Sequence, residues 1–215
     1  MSKWLVLAVL IAGAGWYWHT HGLPLGGTPK AVDAQGNPQV WVFTHPSCGD
    51  PCTDALADLR KRGQSFVEKS IDPDNREDPD SQVWRRLGNK KFPLIMVGGE
   101  RFNEFSGPLL AGVLADHFGA DALHGIEQHF FKEHFNADGS PRIVMYSTSW
   151  CGYCRRLRQE MVDNQVAFTE IDVEKHTSGP TLSRTLEIRG VPTTYVGYKR
   201  VVGHNLAAIN KVINP

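Results

Sequence analysis

The chain carries the same order of segments twice, about 100 residues apart, and this internal repeat restricts its fold more than any other feature. Each copy starts with a run of β-branched and aromatic residues, at 39–44 and 142–147, that leads towards a pair of cysteines. Helical periodicity follows each pair, and strands then alternate with helices. Chance does not explain two copies whose segments follow in the same order at the same spacing. The repeat therefore predicts two related α/β units with partly parallel sheets.

The segments after the cysteines also correspond. Phe66 aligns with Phe168 inside a predicted strand, and in both copies a proline opens a later strand that ends at a glycine. The corresponding segments are 65–72 with 167–174, 81–87 with 181–188, 92–98 with 191–197, and 108–117 with 206–213. Residues 119–140 lie between the copies and are predicted to form a connecting helix.

All four cysteines fall into two close pairs, Cys48 with Cys52 and Cys151 with Cys154. A scaffold held together by disulfides is short and rich in cysteine, whereas a chain of 215 residues can bury a core without such bridges. The cysteines are therefore predicted to serve reactivity.

Composition and charge exclude one broad class of protein. With 41% apolar residues, the chain is predicted to fold into globular units. Its 23 basic and 23 acidic residues give a formal net charge of zero, which leaves no electrostatic footprint for nucleic acid. We therefore expect no nucleic-acid partner.

The first 20 residues include a stretch, residues 4–18, without a charged side chain. As a helix it would be about 22 Å long, and Trp4 and the aromatic residues 16–18 are typical of anchors at a membrane interface. Three interpretations stay open: an uncleaved single-pass membrane anchor, a cleaved signal peptide and a buried helix. Residues 21–38 are rich in Gly and Pro and are predicted as a linker.

The charges beside this segment bear on its orientation. Lys3 and the free amine favour a cytoplasmic N-terminus, which would place the body on the extracytoplasmic (periplasmic) side. Cleavage would instead release a secreted form.

The second cysteine pair has the placement that thiol chemistry requires. Cys151 is predicted where a strand gives way to a helix, so backbone N–H groups and the helix dipole would lower the pKa of its thiol. Cys154 follows on the same face of the first turn, as the more buried partner that would resolve a mixed disulfide. Arg155 and Arg156 add positive potential.

Other roles for this part of the chain stay open. Trp150 and Tyr153 are predicted to form an apolar rim for a substrate, although packing would explain the same residues. The cysteines could also form an inert disulfide or half of a zinc site. No metal site is predicted, because a second cysteine pair at compatible spacing is missing. Three histidines are spaced by five residues, which would place them on different faces of a helix, namely His124, His129 and His134.

The first pair is a candidate second redox pair. Its spacing of four keeps Cys48 and Cys52 near one helical face, so a disulfide is feasible. Pro51 removes an N–H group and Asp50 adds an opposing charge, which makes Cys48 the weaker nucleophile. A structural or regulatory role and a catalytic or relay role both stay open.

The second copy resembles a glutaredoxin, a small member of the thioredoxin superfamily. The resemblance rests on Trp-Cys-Gly-Tyr-Cys at 150–154, Glu-Ile-Asp-Val at 170–173 and Gly-Val-Pro at 190–192. The first copy, with Cys-Gly-Asp-Pro-Cys at 48–52, resembles a degenerate glutaredoxin. We therefore expect two tandem thioredoxin-like domains, at 39–118 and 141–215, behind a hydrophobic helix at 1–20.

This resemblance implies how a substrate would bind. In the superfamily the proline that matches Pro192 is cis and lies against the dithiol, so that the backbone of Val191 can pair with an extended substrate. Glutaredoxins that use glutathione commonly place a lysine just before the first cysteine and an acidic residue after the late Gly-Gly. Here Thr148 and His204-Asn205 stand at those positions, so no bound cofactor is expected, glutathione is disfavoured and protein disulfides are favoured.

Two hypotheses follow. The first is a membrane-tethered thiol–disulfide oxidoreductase that acts on protein disulfides or a redox partner protein through Cys151 and Cys154. The alternative is a non-catalytic interaction module built from two thioredoxin-like folds. The direction of electron transfer is left open by the sequence.

Overall fold

A computed structural model describes residues 27–88 and 91–214. The first unit contains, in chain order, β1 (Val40–Thr44), α1 (Asp50–Lys61), β2 (Val67–Ser70), α2 (Pro79–Arg86), β3 (Leu94–Val97), β4 (Glu100–Phe102) and α3 (Gly107–Phe118). A 3-10 turn (Ala120–Ala122) and a short helix, α4 (Ile126–Lys132), follow. The second unit contains β5 (Ile143–Ser147), α5 (Gly152–Asp163), β6 (Thr169–Asp172), α6 (Gly179–Thr185), β7 (Thr193–Val196), β8 (Lys199–Val202) and α7 (Leu206–Ile213).

The two units have the same sheet topology. Each holds a four-stranded sheet, in the order β2-β1-β3-β4 and β6-β5-β7-β8. The first strand pairs parallel with the second across a helical crossover and antiparallel with the third. The predicted pair of mixed α/β units is therefore confirmed. The opening and central strands are buried because they consist almost wholly of apolar and β-branched side chains.

The repeat begins earlier than the sequence pattern predicts. Residues 31–38, assigned to the linker, pack on the first unit: Ala31 is fully buried and its N–H donates to Gly98 O at 2.7 Å. Within this turn Asp33 accepts hydrogen bonds from Asn37, and these bonds lower the pKa of its carboxyl. Residues 134–142 form the equivalent turn before β5, and Phe135 and Pro141 form an isolated antiparallel β-bridge there. Residues of the types that favour turns thus close a structured loop in each copy.

The predicted connecting helix over 119–140 does not form as one element. Gly119 has φ 93° and Gly125 has φ 53°, and these left-handed conformations interrupt the helical path. The segment is divided into the 3-10 turn, α4 and the turn before β5. Phe118 belongs to α3 of the first unit.

Helix α3 joins the two units. Leu110, Val113 and Leu114 pack into the core of the first unit, together with Val42 and Leu59. Its remaining face packs into the core of the second unit, which contains Ala111, Ala115, Phe130, Phe131, Tyr146 and Tyr195. A helix that is apolar on nearly all sides needs burial on all sides, and the second unit supplies it.

A buried ion-pair network also crosses this junction. The guanidinium of Arg62, only 6% exposed, donates to both oxygens of Glu127 at 2.8 Å and to Asp58 at 2.7 Å. It also donates to Ala122 O. Burial alone would lower the pKa of Arg62, but these carboxylates outweigh it and raise the pKa. The end of α1 is thereby tied to α4.

The predicted hydrophobic helix at residues 1–20 and the first part of the predicted linker lie outside the described residues. Within residues 27–88 and 91–214, no helix is long and apolar enough to cross a bilayer.

Candidate redox-active site

The second cysteine pair lies at the junction of β5 and α5. Cys151 is the N-cap of α5 and Cys154 lies in its first turn, with their Cα atoms 5.3 Å apart and their sulfurs joined in a disulfide. The amide of Cys154 donates a hydrogen bond to the sulfur of Cys151 at 3.0 Å. Cys154 is fully buried, and Cys151 is 4% exposed. The first sulfur therefore occupies the N-cap position, where helices leave N–H groups unpaired.

Pro192 lies beside this pair. The Val191–Pro192 peptide bond is cis, as the glutaredoxin resemblance implies. The carbonyl oxygen of Val191 is 3.6 Å from the sulfur of Cys151. Pro192 itself is buried, and its carbonyl accepts a hydrogen bond from the amide of Gly203 at 2.8 Å. The backbone at 191–192 is thus held next to the reactive sulfur.

Two aromatic side chains flank the dithiol at the surface. Trp150 is 67% exposed and Tyr153 is 58% exposed. The indole Nε1 of Trp150 donates to both carboxylate oxygens of Glu174, at 3.0 and 3.1 Å, which gives the ring a defined orientation. Because neither ring is buried, the structure brings both predicted rim residues to the surface beside the sulfurs.

The helix that carries the dithiol has a positive first half. Arg155 donates to Trp150 O at 3.4 Å, and the guanidinium of Arg156 lies 4.6 Å from the ring centroid of Tyr153. Within residues 27–88 and 91–214, no carboxylate lies at ion-pair distance from either arginine. Arg158, one half-turn on, does pair with Glu170 and lowers the pKa of that carboxyl. The positive potential therefore remains near Cys151.

Residues 143–201 match the family model described as Glutaredoxin, and this range spans the dithiol, its rim and Pro192. The second unit is a glutaredoxin-family domain. A glutaredoxin of Mycobacterium tuberculosis is 47% identical over 32 residues, which cover 15% of this chain and 38% of that protein. The matched segment thus spans little more than a third of that relative's length.

Two solved structures are also similar. Glutaredoxin C1 from Populus tremula x tremuloides is 21% identical, with 40% of this chain and 89% of that chain covered and a TM-score of 0.31. A protein disulfide oxidoreductase from Aeropyrum pernix is 16% identical, with 80% of this chain and 81% of that chain covered and a TM-score of 0.29.

The glutaredoxin domain lacks a cation just before its first cysteine. Thr148 is buried there, and its hydroxyl has no hydrogen-bond partner among the described residues. At the other position, the Nε2 atom of His204 lies 2.8 Å from Glu160 Oε1, a short contact that is poorly aligned for a hydrogen bond. The His204 ring centroid is 6.4 Å from that of Tyr153. His204 therefore lies near the aromatic rim, at the position where glutaredoxins that use glutathione commonly carry an acidic residue.

The first cysteine pair has a different relation to its helix. Cys48 and Cys52 are joined in a disulfide with Cα atoms 5.8 Å apart. The N-cap of α1 is Gly49, so Cys48 lies one residue before the cap and outside the helix. The Phe92–Pro93 bond is cis, in the position equivalent to Pro192. The first unit thus retains the paired cysteines and the cis-proline of the glutaredoxin domain but not the placement of its first sulfur.

The core of the glutaredoxin domain holds a buried polar cluster that the sequence pattern did not indicate. His134 is fully buried, its Nε2 lies 2.8 Å from the hydroxyl of Tyr146, and its ring stacks on Tyr195 at 4.5 Å. Burial lowers the pKa of His134 to about 3. His124 and His129 do not join it, because α4 ends before His134. The alignment of His134 with Ala31, next to the repeated turn, was the available sequence clue.

One group of side chains in the described part of the chain has metal-type ligand atoms close together. Atoms of Glu100, Asp116 and His117 lie within 4.8 Å of one another. Lys199 already faces Asp116 at 3.4 Å, and no cysteine belongs to the group. Its charges are therefore partly compensated by protein side chains.

Proposed function

We propose that this protein is a thiol–disulfide oxidoreductase that acts on protein disulfides through Cys151 and Cys154. The observation that carries the proposal is the 3.0 Å hydrogen bond from the Cys154 amide to the Cys151 sulfur at the start of α5. When the disulfide is reduced, the same N–H group is in place for a thiolate. The positive end of the helix dipole acts in the same direction.

The reaction follows from the relative exposure of the two sulfurs. The Cys151 thiolate attacks one sulfur of a substrate disulfide, forms a mixed disulfide and expels the first substrate thiolate. The buried Cys154 thiolate then attacks the Cys151 sulfur and expels the second substrate thiolate. Two electrons pass from the dithiol to the substrate, and the protein is left with the Cys151–Cys154 disulfide. Oxidation of a substrate dithiol is the same sequence in reverse.

The surroundings of Cys151 favour an extended polypeptide as substrate. Trp150 and Tyr153 offer exposed aromatic surface on the side of the helix, and Val191 offers backbone groups beside the sulfur. Backbone pairing with an extended chain is a general mode of peptide recognition. Glutathione is the less favoured partner because Thr148 is uncharged and buried and His204 offers no carboxylate to a substrate ammonium group.

The test uses the full chain and three single variants. Cys151→Ser is expected to abolish reduction of a peptide disulfide, whereas Cys154→Ser should accumulate the mixed disulfide, seen as a mass increase equal to one substrate half. Cys48→Ser is the matched control, and its activity should persist. Unchanged activity of Cys151→Ser would overturn the proposal, and a full chain that reduces no peptide disulfide would favour a non-catalytic interaction module. A parallel assay with a glutathione mixed disulfide measures the choice between the two substrate classes.

We propose membrane tethering through residues 4–18, with the body on the extracytoplasmic side. Support comes from the uncharged stretch and its aromatic ends. The test is fractionation of the full chain and of a variant without residues 1–20. The full chain should sediment with membranes. Its body should be digested by added protease once the cell envelope outside the cytoplasmic membrane is permeabilised. Release of a shortened soluble protein would instead identify a cleaved signal peptide.

A further inference from the structure

We propose that Cys48 and Cys52 form a second redox couple that is more reducing than Cys151 and Cys154, so that electrons placed on the first pair pass to the second. The inference rests on the proposed function of the Cys151–Cys154 pair. It follows from a difference in how the two units use equivalent backbone amides.

The amide of the second cysteine has a different acceptor in each unit. In the glutaredoxin domain, the Cys154 N–H donates to the Cys151 sulfur. In the first unit, the Cys52 N–H donates to the carbonyl oxygen of Gly49 at 3.2 Å. The extra residue between the cysteines makes Gly49 the N-cap and moves Cys48 outside the helix. The Cys52 N–H group, which would stabilise a Cys48 thiolate, is therefore already hydrogen-bonded to a backbone carbonyl.

The first turn of α1 opposes a thiolate in other ways. Pro51 occupies a first-turn position and has no N–H to donate. Asp50 places a carboxylate in that turn, whereas the first turn of α5 has no acidic residue and is followed by Arg155 and Arg156. A like charge disfavours the thiolate, and a nearby cation favours it.

The first pair is nevertheless reachable. Cys48 is partly exposed, while Cys52 is buried. Cys52 also lines a surface cleft bordered by His45, Gly49 and Glu68. A more exposed cysteine joined to a buried one is the arrangement that attack followed by resolution requires.

Stabilisation of the thiolate favours the reduced form of a pair and makes it the stronger oxidant. The Cys151–Cys154 pair, with its amide donor and cations, is therefore the better electron acceptor. In the exchange, the two thiols of Cys48 and Cys52 lose two electrons and two protons and become a disulfide. The Cys151–Cys154 disulfide gains them and becomes a dithiol. An external dithiol reductant supplies the electrons to the first pair.

The experiment measures this equilibrium with two full-length double variants. Cys151→Ser/Cys154→Ser retains the first pair and is reduced beforehand, and Cys48→Ser/Cys52→Ser retains the second pair and is oxidised. Equimolar amounts are mixed with a trace of glutathione as mediator, quenched with acid and alkylated, and the thiols on each protein are counted by mass. The same mixture is also started from the opposite redox states, so that a true equilibrium is recognised.

We expect the equilibrium to favour electrons on the second pair by at least about tenfold, equivalent to ~30 mV. A constant at or below one would overturn the inference. So would a first pair that excess dithiol cannot reduce in the folded protein, because that pair would be an inert bridge. If the second pair fails to exchange, or Cys48→Ser/Cys52→Ser fails to reduce peptide disulfides, the proposed function itself fails.

A third variant tests the cause. Pro51→Ala restores an N–H group in the first turn of α1, with folding checked by circular dichroism. It should move the equilibrium severalfold towards equal potentials. Lys61→Gln, at an exposed position in the last turn of the same helix, is the matched control and should leave the equilibrium unchanged. An equal shift in both variants would assign the effect to the helix as a whole and would contradict the local cause.

Discussion

Gly112 of α3 and Phe131 of α4 are packed so closely that a β-carbon on Gly112 would lie 3.1 Å from Cζ of Phe131. The same β-carbon would lie 3.3 Å from the carbonyl oxygen of Tyr198 in the glutaredoxin domain. Helix α3 of the first unit therefore meets α4 and the glutaredoxin domain at a position that has no side chain. The two units share one interface, and its close fit depends on Gly112.

Replacing Gly112 by a large side chain should destabilise the protein. Gly112→Leu is expected to lower the free energy of unfolding by about 1–3 kcal/mol, because the side chain must displace Phe131 or move α3 away from the second unit. Urea denaturation measures this as a lower midpoint. Gly107→Ala, where the added carbon meets only ordinary contacts, is the matched control and should change stability little. Equal midpoints for the two variants would contradict the close packing.

The buried network of Arg62 should also contribute to stability. Glu127→Gln leaves the Arg62 charge with Asp58 as its one remaining carboxylate partner in the described residues, so we expect a loss of about 2–4 kcal/mol in the free energy of unfolding. The exposed pair Lys91–Glu104 provides the comparison. Glu104→Gln should cost less than about 1 kcal/mol, because solvent screens that pair. A loss at Glu127 no larger than at Glu104 would contradict a buried network.

Stability should decrease in mild acid because of His134. Its pKa is about 3 in the folded protein and about 6.5 when exposed, so the unfolded chain binds more protons between these values. The free energy of unfolding contains the full contribution above pH 6.5 and should fall by up to about 1.4 kcal/mol per unit as the pH drops towards 3. Denaturation between pH 6.5 and 5 measures this slope before most carboxylates titrate.

The control for this slope is His134→Phe. Phenylalanine keeps an aromatic ring against Tyr195 but has no proton to bind, so the variant should lose stability at neutral pH and show a smaller slope between pH 6.5 and 5. An unchanged slope would assign the acid sensitivity to other groups.

The hydrogen bond between Trp150 and Glu174 should influence substrate binding. Glu174→Ala releases the indole, and we expect kcat/KM for a peptide disulfide to fall about two- to fivefold, mainly through KM. Glu174→Gln retains an acceptor and should restore most of the loss. Reactivity of Cys151 with a small alkylating reagent should be unchanged in both variants. A fall in that reactivity would place Glu174 in control of the sulfur instead of the rim.

The repeat was visible in the sequence because strand and helix formation depends mainly on local patterns. Runs of β-branched and aromatic residues at 39–44 and 142–147, and the prolines that open the later strands, indicated the positions of β1, β5, β3 and β7. The helix at Leu206–Ile213 has the predicted bounds. The turn at residues 31–38 was missed because a Gly- and Pro-rich stretch is typical of linkers as well as of closed turns.

The sequence by itself determined the two α/β units, the positions of the two cysteine pairs and the extra residue in the first pair, because these features depend on residue type and spacing. Tertiary structure decided what those residues contact. It placed α3 between two cores, buried His134, and directed the Cys154 amide to sulfur but the Cys52 amide to Gly49 O. Such choices depend on distances between atoms that only the folded chain brings together, since one backbone donor has several acceptors within reach in the unfolded chain.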